Sequence, residues 1–151
     1  MPLSSLPAPG AAPALPYLDH LREESARFRD LLAGAGGSEP VPSCPEWDAD
    51  DLLWHVAEVQ WFWGEIAERG LTREDEVQGL DTVRVERPVD RAGLLDHFDR
   101  SSERLQRALA SRPPETELWM WHTDHTAGYI GRRQAHEALI HRVDAELAVG
   151  A

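Results

Sequence analysis

The residues most able to do chemistry gather in one stretch, Arg132 to Leu147, RRQAHEALIHRVDAEL, where ionisable side chains occupy positions that a packed helix fills with apolar ones. Ala, Leu, Glu, Arg and Gln dominate it and neither Gly nor Pro interrupts it, so the stretch reads as a helix. At about 100° per residue, Glu137, His141 and Asp144 fall within roughly 60° of one another, flanked by Ile140 and, further round, Val143 and Leu147. Carboxylate and imidazole are therefore expected at an edge of the core face. HEALIH invites comparison with the metalloprotease pattern H-E-x-x-H, whose histidines stand at i and i+4 on one face. His136 and His141 are instead five apart and diverge by roughly 140°. Glu137 and His141, at i and i+4, can reach one ion together.

A second anomaly lies upstream. From about Ala49 to Arg69 the chain places Leu52, Val56, Val59, Phe62, Trp63 and Ile66 on one helical face, and His55 projects into the middle of it. Taken alone, such a histidine is most simply a core residue hydrogen-bonded to a neighbour. If this helix lies beside the C-terminal one, His55, Glu137 and His141 supply three ligands to a divalent metal and leave positions open, as catalytic zinc sites do. The metal would also answer a buried Glu, which is costly when unpaired.

Other reactive side chains read more plainly. His20 sits among charged positions as a surface residue, His97 adjoins an apolar stripe without an evident partner, and His122 and His125 belong to surface or rim. His136 points toward the other core edge and favours packing over a proton-donor role. Cys44, with nothing basic beside it, reads as a small, partly buried packing residue. Trp54, Trp61 and Trp63 read as packing and rim residues.

These groups need a scaffold, and four amphipathic segments provide one. The first helix runs from about Pro16 to Leu32, with Leu18, Leu21, Phe28, Leu31 and Leu32 near one stripe, and the second starts after Asp48, a suitable N-cap with Asp51 three residues on. The third, from about Arg91 to Ser111, stacks Leu94, Leu95, Phe98, Leu105 and Leu109, with Ser101 and Ser102 either leaving room for a pocket or relieving crowding between helices. The fourth runs from near Thr126 to about Ala148. The segment from about Gly70 to Asp90 reads as a long loop whose only strand-like piece is TVRV, and a crossover of that length suggests that it lines or covers something. The expected fold is all-α, a four-helix bundle over residues 16–151, preceded by a loose tail over residues 1–15 rich in Pro, Ala, Gly and Ser.

Composition narrows the partners. A net charge of -12 and an isoelectric point near 4.9 argue against nucleic acid or an anionic membrane surface. One cysteine excludes an intramolecular disulfide and a cysteine metal cluster, and the N-terminus has neither the basic start nor the apolar run of a signal peptide. A cytoplasmic location fits these features.

Three stretches together resemble the metal-binding domain of mycothiol-dependent maleylpyruvate isomerases, within the DinB-like metalloenzyme superfamily. VPSCPEWDADDLLWHVAEVQWFW is similar to the segment leading from a C-P-x-W turn into the helix with the first metal histidine, LWMW to the stretch before the last helix, and RRQAHEALIHRVDAEL to an R-R-x-x-H-E-x-x-x-H-R-x-D block. The resemblance spans roughly Tyr17 to Gly150. It implies a DinB-like bundle holding a divalent metal, typically zinc, through His55, Glu137 and His141. It further implies a small thiol cofactor, mycothiol, whose sulfur takes the open position and, once deprotonated, attacks a small electrophilic substrate in isomerisation or thiol transfer. No motif places the isomerase's catalytic arginine; Arg84 and Arg87 lie in the loop before the third helix. Asp144 and Arg133 fall on the ligand side of the last helix, where Asp144 either orients His141 or an arginine, or makes a plain helix salt bridge. Two other readings use the same ligands: a non-enzymatic module stabilised or regulated by its metal, and an iron(II) oxygenase with a two-histidine, one-carboxylate triad.

Overall fold

The computed structural model describes residues 16–151 and is all-helical among them. Four long helices, α1 (Tyr17–Ala33), α2 (Ala49–Arg69), α4 (Arg91–Ala110) and α5 (Ala127–Val149), form the bundle, and the short α3 (Glu74–Gln78) sits in the crossover between α2 and α4. The expected tail over residues 1–15 lies outside the described residues. The crossover differs from the expected loop: α3 is followed at once by a 3₁₀ turn, Gly79–Val83, and TVRV forms no strand. Val77 and Leu80 are buried and anchor this excursion, whereas Val83 and Val85 stay exposed, so the apolar pair that looked strand-like never finds a sheet partner.

Local chemistry sets the helix ends. Asp48 and Asp51 form a reciprocal cap, Asp48 Oδ1 accepting from Asp51 N at 2.8 Å and Asp51 Oδ2 accepting from Asp48 N at 3.0 Å. Thr126 Oγ1 accepts from Tyr129 N at 3.2 Å to start α5. Gly70 (φ 70°) and Gly150 (φ 73°) end α2 and α5 in the left-handed conformation that glycine adopts without strain. With its caps at Asp48 and Thr126, each site helix has its rotational phase set close to the ligands it carries.

The two largest interfaces join α2 to α4 and α1 to α5, while α2 meets α5 over a smaller one. Gly64 permits the close α2–α4 approach, since a Cβ there would lie 3.4 Å from the backbone N of Leu105. The apolar interior divides into two clusters, one around Trp61, Ile66, Leu105 and Ile130, the other around Phe28, Leu52, Phe98 and Ala145. Full burial of a side chain such as Leu105 contributes roughly 1.5–3 kcal/mol. Ser101 and Ser102 are both buried, and Ser102 lines a shallow groove between α1 and α4 instead of a cavity beside the proposed ligands.

The buried face of α5 is not the expected one. Ile130, Gly131, Gln134, Ala135, Ala138, His141 and Ala145 face inward, whereas Leu139, Ile140, Val143 and Leu147 are 38–52% exposed. Small residues let α5 approach α1 closely; a Cβ on Gly131 would stand 3.5 Å from Leu18. The larger aliphatic side chains are left on the outer face.

Candidate metal centre

His55 on α2 and Glu137 and His141 on α5 come together where those two helices meet. One donor atom from each lies within 4.8 Å of the others. Glu137 Oε1 is 3.0 Å from His141 Nε2 and 3.9 Å from His55 Nε2, and the imidazole centroids are 5.1 Å apart at 73°. His141 is nearly buried, with its side chain 10% exposed, while His55 and Glu137 are about a third exposed at 35% and 36%. The cluster therefore opens outward from a buried base. Contrary to its expected place amid an apolar face, His55 stands at the face's edge, beside the partly buried Val59 and Phe62.

The electrostatics reflect this convergence. The hydrogen bond with His141, then the His55 imidazole nearby, holds the Glu137 carboxyl well below the usual carboxylate range, against the opposing effect of burial. Burial pulls the His141 imidazole down, but the bonds with Glu137 and Asp144 outweigh it and the net shift is upward. His141 is thus clamped on both nitrogens: Nδ1 is 3.0 Å from Asp144 Oδ2 while Nε2 faces Glu137. Asp144 is the orienting partner of His141, not a partner of an arginine.

Asp144 is itself held by a residue the sequence reading passed over. Ser43 Oγ donates to Asp144 Oδ1 at 2.5 Å. Ser43 lies in a turn whose backbone bonds to itself, Cys44 N to Val41 O at 3.0 Å and Trp47 N to Cys44 O at 2.8 Å. The same turn brings the Trp47 ring to 4.7 Å from the His55 ring, so one loop braces ligands on both helices. Cys44 is partly buried and packs against the second core cluster, as expected.

A pocket of about 340 Å³ opens beside the three groups. Phe62, Trp63 and Trp121 form an aromatic wall, with Phe62 and Trp121 stacked at 6.0 Å. Arg84 reaches this pocket from the crossover, its guanidinium 5.2 Å from the Trp61 ring centroid, with bonds to Asp81 at 2.9 Å and Glu58 at 3.1 Å. The crossover does line something. Arg87 turns instead to Asp51, 2.8 Å away, which separates two arginines that the sequence could not distinguish. His97, which lacked a visible partner in sequence, approaches Glu58 Oε1 at 3.0 Å and supports the carboxylate that holds Arg84.

The remaining histidines do not join the cluster. His20, His122 and His125 are exposed. His136 is exposed too and lines a groove between α1 and α5, so it does not pack in the core; its position on α5 turns it to the outer face. Gln134 and Glu58 were also missed as pocket residues. Gln134 lies three residues before Glu137 and seven before His141, a spacing that places it on the same buried side and could have revealed it.

An all-α bundle with two imidazoles and a carboxylate converging from two helices defines the class: a DinB-like domain with a candidate metal centre. More narrowly, the chain belongs to the family described as mycothiol maleylpyruvate isomerase N-terminal domain, which matches residues 18–146. No curated protein and no solved structure matches the chain. No helix among the described residues is long and apolar enough to cross a membrane.

Proposed function

We propose that His55, Glu137 and His141 hold a divalent metal, zinc, and that the protein uses it to add a small thiol, mycothiol, to an electrophilic small molecule, either transferring the thiol or isomerising the substrate through reversible addition. The observation that carries this reading is the convergence of two imidazoles and one carboxylate at the mouth of an aromatic pocket. The donor set fits the ion: borderline nitrogens and one oxygen suit zinc, and three protein ligands leave room for an exchangeable fourth. Glu137, half-buried, has among the described residues only the two imidazoles to balance its charge, which a divalent cation would do more fully.

A bound metal supplies Lewis acidity, which lowers the pKa of a coordinated thiol and makes its sulfur nucleophilic near neutral pH. The chain's own residues do the rest. Asp144, held by Ser43, keeps His141 Nδ1 engaged, so that Nε2 would be the atom that holds a metal. Phe62, Trp63 and Trp121 give the organic partner an apolar surface beside the metal position. In the addition, the thiol loses its proton, a carbon–sulfur bond forms at the electrophilic carbon, and the neighbouring carbon takes up a proton. Isomerisation instead breaks the new bond after rotation.

Metal analysis of the purified protein tests this directly. About one divalent ion per chain is expected, with His55→Ala losing it. Full occupancy in His55→Ala would overturn the ligand set. In a cobalt-substituted sample, mycothiol is expected to change the visible spectrum; an unchanged spectrum would favour a metal-stabilised module without thiol chemistry.

A further inference from the structure

The outer face of α5 carries two features that the bundle leaves unused. Leu139, Ile140, Val143 and Leu147 stay exposed along one side of the helix and form a contiguous apolar patch, the kind of surface that marks an interaction site. The other exposed large apolar residues, Val83, Val85, Val89 and Trp121, are scattered through the crossover and the loop before α5. Charge is the second feature. Arg132 and Arg133 begin the same face and have no carboxylate or carbonyl partner among the described residues, although every other arginine has a carboxylate or, for Arg112, main-chain carbonyls. At the far end of the face, α5 stops at Gly150 with no basic residue in its last turn, so the partial negative charge of its terminal carbonyls is unanswered too.

We propose that this face is a self-association surface, on which a second copy of the chain lays its own α5 antiparallel across a two-fold axis. Such an axis requires a surface complementary to itself: what stands at one end must suit what stands at the other. The outer face of α5 meets that requirement. Gly150 lies about 27 Å along the helix from Arg132, and the midpoint falls between Ile140 and Val143. An antiparallel copy centred there sets aliphatic side chains against aliphatic side chains and brings Arg132 and Arg133 of each copy to the negative helix end of the other. Parallel pairing would instead crowd the four arginines together. Arg133 also lines the pocket beside the metal position, so the interface borders that pocket. One helix face buries roughly 1,200 Å² in total, the low end for a specific interface, and a net charge of -12 on each copy opposes association. The dimer is therefore weak and concentration-dependent, and it forms whether or not the metal centre adds thiols.

Sedimentation velocity of the purified protein tests this, from about 5 μM to about 1 mM at about 0.15 M salt, where charges more than about 8 Å apart are largely screened. A monomer–dimer equilibrium with a midpoint on the order of 10–100 μM is expected. Val143→Glu and Leu147→Glu, which place an unpaired charge in the interface, should each weaken it about tenfold or more while leaving the helical circular dichroism unchanged. Val89→Glu, the same change at an exposed site in the crossover, should leave it intact. Removing both cations with Arg132→Ala and Arg133→Ala should weaken the dimer about tenfold without touching the apolar patch. The same charge change on α4, Arg100→Ala with Arg107→Ala, should not. A monomer throughout the concentration range, a dimer that survives both α5 glutamate variants, or equal weakening by Val89→Glu would overturn the proposal. Unchanged or tighter association after removal of Arg132 and Arg133 would overturn it as well, since antiparallel pairing makes those charges attractive.

Discussion

Replacing Asp144 with Asn keeps the size and one acceptor of the side chain but removes the charge that faces His141 Nδ1 at 3.0 Å. Asp144 is nearly buried, its side chain 11% exposed, so solvent screens the interaction little. A hydrogen bond to a charged group in such a place is worth roughly 1.5–3 kcal/mol. Loss of an outer partner of a metal-binding histidine generally lowers metal affinity about 10- to 100-fold, roughly 1.4–2.7 kcal/mol. The two ranges agree, and Asp144→Asn is expected to weaken zinc binding within them. Competition against a zinc-binding dye measures the change. Ser43→Ala, which removes the 2.5 Å bond to Asp144 but leaves the carboxylate, should weaken zinc less. Nitrogen NMR of His141 gives a readout that a merely structural role would not move: in the wild type with zinc, Nδ1 carries the proton, and in Asp144→Asn the tautomers should mix. Wild-type zinc affinity together with an unchanged His141 tautomer would refute the positioning role of Asp144.

Acid–base linkage makes a further prediction for the metal-free protein. Glu137 is held below its ordinary 4.5, so its contribution to stability is present above that value and is lost as pH falls through the depressed pKa. His141 is held above its ordinary 6.5, so its contribution is present below that value and is lost as pH rises through the raised pKa. The pair therefore stabilises the metal-free protein most between about pH 4.5 and 6.5, where the metal-free His141 retains its proton. Zinc needs a neutral imidazole, so the melting-temperature increase on adding zinc should be larger near pH 8 than near pH 5.5; equal increases, followed by calorimetry, would contradict it. Gly37→Ala should destabilise the fold by about 1–3 kcal/mol in denaturant unfolding. Gly37 has φ 112°, and a Cβ there would come within 2.5 Å of the Asp50 carboxylate, which Arg91 restrains.

Much of the bundle was legible locally. Asp48 with Asp51, the Gly70 stop and the Thr126 start are short-range devices, and the helices they bound fall within a residue or two of the ends read from the chain. The i, i+4 spacing that puts Glu137 beside His141 is likewise a property of any helix. Misreadings occurred where local pattern and packing part. On α5 the bulky aliphatic residues Ile140, Val143 and Leu147 suggested a core face, but the face that meets α1 is made of Gly131, Ala135, Ala138 and Ala145. Close helix contact selects small side chains there, and hydropathy alone cannot distinguish a small packed face from a weakly apolar one. The crossover, read as a long loop, instead holds α3 and a 3₁₀ turn, because one turn of helix is too short to show an apolar period along the chain.

By itself, then, the sequence determined the helices, their ends and the pairing of Glu137 with His141, because each depends on interactions within a few turns of chain. Only the tertiary structure decided that α2 brings His55 to that pair, that Ser43 reaches Asp144 across 101 positions, and that Arg84 enters the pocket while Arg87 turns to Asp51. Those are contacts between elements, set by how the faces of the helices pack and by where the connecting turns return. No periodicity along the chain encodes the distance between two side chains on different helices.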